Sequence, residues 1–97
     1  MFNSILEITE KDNTTTIINM KNISHIETYS RKREDSGKKD FHETEDFMEI
    51  LHNMKNLGDG NLTIVMNDNK KYQFLTQNID KAITSFSSEK VSFHSSK

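Results

Sequence analysis

A chain of 97 residues with 13 Lys and Arg against 15 Asp and Glu carries a formal charge of −2, and only 32% of it is apolar. That balance argues against a dedicated nucleic-acid binder, whose domains are usually clearly basic. The absence of cysteine excludes disulfide scaffolds, thiol nucleophiles and thiolate zinc sites.

The length fits one domain with a thin core, the regime in which association becomes an attractive remedy. A homodimer is therefore one expectation. The first twenty residues hold no apolar run behind a basic start, so no signal peptide is expected, and nothing approaches a membrane span. The expected location is cytoplasmic, with no membrane partner. Abundant Asn, Lys and Ile beside scarce Arg, with no Pro or Trp, suit an AT-rich bacterium or a phage living in one.

In chain order, "SILEIT" (4–9) and "TTTIIN" (14–19) read as strands separated by the turn cluster "EKDN". "ISHIETYS" (23–30) follows as a third strand, with Ser24, Ile26, Thr28 and Ser30 on one face and His25, Glu27 and Tyr29 on the other. Short links make these an antiparallel meander. The stretch "SRKREDSGKKD" (30–40) has no apolar residue and reads as a solvated connector. "TEDFMEILHNMKNLG" (44–58) spaces Phe47, Ile50, Leu51, Met54 and Leu57 as one helical stripe, with Thr44 as N-cap and Gly58 as stop. "LTIVM" (62–66) and "KYQFL" (71–75) form a hairpin around "NDNK". From Thr76 the residues Ile79, Ala82, Ile83 and Phe86 fit a second helix, and "SSEKVSFHSSK" (87–97) reads as a polar tail. No internal repeat of useful period is expected.

Candidate chemistry is sparse. Glu45, Glu49 and His52 share a helix face at Glu-x-x-His spacing, but di-iron bundles need that motif on two helices plus further glutamates. A solvated acidic face explains the trio, so no metal is assigned. Serines near His94 lack a strained elbow, and "GDG" lacks the length and lysine of a phosphate loop. No catalytic residue and no cofactor is assigned, and the chain is not read as an enzyme.

The residues 5–27 joined to 62–86 resemble the small flagellar-operon FlbD-like proteins. Ile18, Asn19, Ile23, Ile26, Glu27, Asn69, Lys70, Lys71 and Tyr72 carry the likeness. Residues 28–61 are then an insertion, and Asn69 stands where the family's turn has glycine. The resemblance implies a compact β-rich module with a C-terminal helix and a flagellar setting.

The resulting expectation is an α+β fold in the order βββ-α-ββ-α, an antiparallel sheet of about five strands covered by two amphipathic helices. A single domain spans 1–86, with a charged loop at 30–43 and a polar tail at 87–97. The expected function is non-catalytic contact with a partner protein, as a small bacterial or phage regulator or an inhibitor of a host complex. The expected partner-binding residues are Arg31, Lys32, Arg33, Lys38 and Lys39. The alternative is a small nucleic-acid-binding regulator using the basic loop 31–39, with Tyr29 and Phe41 available for stacking.

Overall fold

The computed structural model of the protein describes residues 5–41, 44–86 and 89–94, without the side chains of 44–46, 57, 85, 86 and 89–94. Its elements are β1 (Ile5–Glu10), β2 (Thr15–Asn19), β3 (Ile23–Ser30), β4 (Asp35–Asp40), α1 (Thr44–Leu57), β5 (Gly60–Met66), β6 (Lys71–Leu75), β7 (Ile79–Phe86) and β8 (Glu89–His94). One-turn 3-10 segments at Met20–Asn22 and Thr76–Asn78 lead into β3 and β7. All pairings are antiparallel, and they build two four-stranded sheets, β2-β1-β7-β8 and β4-β3-β5-β6.

The chain is thus mostly β with one α-helix among the described residues, not the two-helix α+β arrangement expected from the sequence. The segment read as a second helix is β7, which also removes the C-terminal helix implied by the FlbD-like resemblance. Half of the charged connector is the paired strand β4, and residues 89–94 of the expected tail pair with β7. Residues 87, 88 and 95–97 of that tail, and the proposed cap side chain of Thr44, lie outside the described part.

The chain forms two compact units, and both halves of the chain enter each of them. Unit 1 comprises 1–21 and 78–97, and unit 2 comprises 22–77. In unit 1 the inward side chains Leu6, Ile8, Ile18 and Ala82 are almost wholly buried. In unit 2 the corresponding set is Ile26, Leu62, Ile64 and Phe74, with α1 adding Phe47, Leu51 and Met54. Each of these side chains except the small Ala82 contributes roughly 1.5–3 kcal/mol of burial. Helix α1 lies on the Ile26 side of its sheet, where Met54 reaches Gly60 and Glu49 pairs with Lys39 at 3.5 Å. A Cβ at Gly60 would collide with the Tyr29 carbonyl oxygen and stand 2.7 Å from Met54 Cε. Glycine is required there by the close approach of the β3 backbone, whereas the flexible end of Met54 could move aside.

The two units repeat one plan. Adding 56 to the β1–β2 register Leu6↔Ile18, Ile8↔Thr16 gives Leu62↔Phe74, Ile64↔Tyr72 of β5–β6. The same shift converts Leu6↔Thr84 and Ile8↔Ala82 into Leu62↔Thr28 and Ile64↔Ile26, with the two chain halves exchanged. The turns agree in detail. Asn13 and Asn69 have φ of 74° and 71°. Asp12 and Asp68 accept from the amides of Thr14 and Lys70 at 2.9 and 3.0 Å. Lys11 N–H donates to the Asn78 carbonyl and Asn67 N–H to the Asn22 carbonyl, both at 2.7 Å. An internal repeat therefore exists, contrary to the sequence reading, with α1 as the connector between its copies. Only a few identities mark it, among them Leu6/Leu62, Ile8/Ile64, Asp12/Asp68, Asn13/Asn69, Asn22/Asn78 and Ile23/Ile79.

The repeat also explains why β7 looked helical. Both β3 and β7 carry a bulge, at Ser24 and Asp80, where two residues oppose one on the partner strand. The extra residue turns Ile79 and Ala82 to the same buried side despite their i, i+3 spacing, as it does Ile23 and Ile26. A bulged strand thereby imitates the apolar spacing of a helix.

Candidate docking face of unit 2

Strand alternation sends His25, Glu27 and Tyr29 of β3 away from the core of unit 2. Cross-strand register places Lys38, Thr63 and Gln73 in the row of Glu27, and Ser36, Asn61 and Leu75 in the row of Tyr29. These two rows, apart from Leu75, line an open, polar concavity of about 510 Å3. At the end of the sheet a second hollow of about 280 Å3 is lined by Tyr29, Arg31, Asp59, Asn61, Leu75 and Gln77. A third, of about 390 Å3, is lined by Arg31, Lys32, Lys55, Asn56, Gly58 and Asp59. Shared residues make the three a continuous surface.

Electrostatics organise the middle row. His25 Nε2 lies 2.9 Å from a Glu27 carboxylate oxygen, and Ser24 Oγ is 3.3 Å from His25 Nδ1. The hydrogen bond from His25 holds the Glu27 carboxyl below the usual carboxylate range, and the positive charges of Lys71, His25 and Lys38 add to it. A carboxylate so stabilised stays ionised and is a poor proton donor at neutral pH. Among the described residues no group of three His, Asp or Glu side chains is placed to hold a metal ion.

The five basic residues singled out in the sequence do not form one patch. Arg31, Lys32 and Arg33 sit in the four-residue β3–β4 turn, where Arg31 N–H donates to the Asp59 carbonyl at 3.0 Å and Arg33 N–H to the Ser30 hydroxyl at 3.4 Å. Lys38 stands beside Glu27 on the outward face, and Lys39 points to the other side, toward Glu49. Tyr29 is 38% exposed at the turn end of β3, whereas Phe41 is half-buried beyond the far end of β4. The two aromatics therefore do not frame a common stacking platform. Glu49 and His52 are both exposed on α1, and the Glu45 side chain lies outside the described part.

Sequence reasoning missed Leu75, Asn61, Asp59 and Gln77. Leu75 had a signal. With Phe74 buried, alternation through "KYQFL" turns Leu75 outward, an apolar residue at a wet position, and it is 46% exposed. Asp59 and Gln77 carry none, because only the long-range pairing of β3 with β5 brings them beside Arg31.

No family model matches the chain, and no curated protein or solved structure matches it.

Proposed function

We propose that this protein is a small non-catalytic regulator, of bacterial or phage origin, that acts by contact with a partner protein through the outward face of unit 2. One observation carries the reading. Tyr29 and Leu75, two exposed large apolar side chains, lie in one cross-strand row on either side of Asn61, next to the basic turn. Aromatic and apolar anchors ringed by polar groups are the usual composition of a protein-binding surface. The hollows along this face are open and polar, which suits contact with a surface better than enclosure of a small substrate.

The test is capture of a partner from host lysate by the wild-type protein and by the double variant Tyr29→Ala/Leu75→Ser. Loss of a specific protein band in the double variant is expected, with the band retained by Ile17→Ser, which alters the exposed outward face of unit 1. A band lost only with Ile17→Ser moves the contact to unit 1. The alternative, a nucleic-acid-binding regulator, draws on Arg31, Lys32 and Arg33, which form no ion pair with any described residue. A steep loss of nucleic-acid affinity with salt would favour it.

A further inference from the structure

The β3–β4 turn departs from the repeat. Ser30 pairs with Asp35 in unit 2, with four residues between them in the sequence, whereas Phe86 pairs with Glu89 in unit 1, with two. The longer connection is "RKRE", and the shorter is "SS". The basic turn thus belongs to unit 2, which also carries exposed Tyr29 and Leu75.

Backbone strain singles out the same turn. Glu34 has φ of 51°, the left-handed region. Among the described residues the other two non-glycine left-handed positions are Asn13 and Asn69, the type best tolerated there, and this turn alone uses a long side chain. Persistent strain of this kind is typical where side chains are kept for contact rather than for stability.

We infer that the turn end of unit 2 receives an acidic segment of the partner protein that also bears an apolar or aromatic side chain. This rests on the protein-binding reading above. Arg31 lines both end hollows, one holding Tyr29 and Leu75 and the other Lys32 and Lys55. An apolar side chain seated between Tyr29 and Leu75 sets neighbouring carboxylates beside Arg31 and Lys32. Arginine suits that role, because its planar fork accepts a carboxylate in two parallel hydrogen bonds. Asp59 lies in both hollows and opposes bare anions, so a purely electrostatic ligand is disfavoured and an apolar anchor is required.

The probe is a random-peptide display library selected on the immobilised full-length protein, with a thymidine oligonucleotide and the protein itself as competing ligands. The expected winners pair Asp or Glu clusters with Phe, Leu, Tyr or Trp. Arg31→Glu/Lys32→Glu should weaken a selected peptide by about tenfold at low salt and by less at high salt, because charge contacts are screened. Leu75→Ser should weaken it with little salt dependence. The charge-matched control Lys11→Glu/Lys21→Glu should leave binding unchanged, and circular dichroism should show all variants folded. Basic or neutral winners, or winners indifferent to Arg31 and Lys32, overturn the inference, as does the oligonucleotide displacing every peptide. If those results occur while Tyr29 and Leu75 still govern capture of the host protein, the protein-binding reading survives and only the acidic ligand falls. Preferred binding of a second copy at this face would replace the acidic segment with self-association.

Discussion

On the outward face of unit 1 the middle row holds Glu7, Ile17 and Ile83; at the same register unit 2 holds Thr63, Gln73 and Glu27. Inward, the two units read nearly alike, with Leu6 and Ile8 repeated as Leu62 and Ile64. The core and the turns fix the plan, since one residue of register slip would turn every buried side chain to water. The outward positions carry no such constraint, and there the copies have parted. Function is therefore to be sought where the units differ: Tyr29, Leu75, the longer basic turn, and α1.

The largest expected difference lies in α1, which has no counterpart among the described residues of unit 1. Phe47 is fully buried, and Phe47→Ala should cost about 3–5 kcal/mol in urea unfolding. Neutral behaviour would mean that the helix is not part of the folded core. The equivalence of the copies is tested next by Leu6→Ala and Leu62→Ala, both fully buried at matched positions. Each should cost roughly 2–5 kcal/mol. A fully buried position that tolerates alanine in one unit alone would break the correspondence.

Much of the fold was legible where local and long-range signals agreed. The alternation from Ile26 to Ser30 and the stripe through Phe47, Leu51 and Met54 each gave the observed element, because buried face and sequence period coincide there, whereas the bulge at Ser24 breaks the alternation at the start of β3. The failure at β7 came from its bulge, which only strand pairing reveals. Residues "DSGKKD" of β4 are exposed on both faces, so no hydrophobic period could announce a strand. Lysine-rich edges of this kind protect a sheet from pairing with other chains. Deletion of 31–39 should therefore disturb the fold, since it removes most of β4 from its sheet. As for the site, the basic turn could be read from the sequence, but Asp59 and Gln77 beside it could not. Lys38 and Lys39 are adjacent in the chain and lie on opposite faces.

Smaller effects are expected in the turns. Asn13→Ala and Asn69→Ala place an L side chain poorly suited to positive φ at equivalent corners, and each should cost about 1 kcal/mol. Glu34→Gly should act in the opposite direction, relieving the strained corner by up to about 1 kcal/mol. Thermal unfolding of the three variants separates them. A stability loss at Glu34→Gly equal to that at the asparagines would show that the turn is held by its side chain rather than strained by it.

The smallest expected effect concerns Glu27, whose counterpart in unit 1 is Ile83. Its carboxyl is held low in the folded protein by the hydrogen bond from His25, with Lys71, His25 and Lys38 adding positive charge. The unfolded chain, lacking those partners, takes up the proton at higher pH. The Glu27 contribution is therefore complete above the ordinary carboxylate value and is lost as pH falls through the lowered one. Asp12, held low by the Thr14 amide in unit 1, contributes in the same direction and is untouched by changes at Glu27. Urea unfolding of the wild type and Glu27→Gln across the acid range should show a gap near neutrality that closes at low pH, with a residual acid dependence in the variant from Asp12. A gap constant across that range would mean that Glu27 acts through packing and not through its charge. The polar character of unit 2's outward face would then not be organised by this carboxylate.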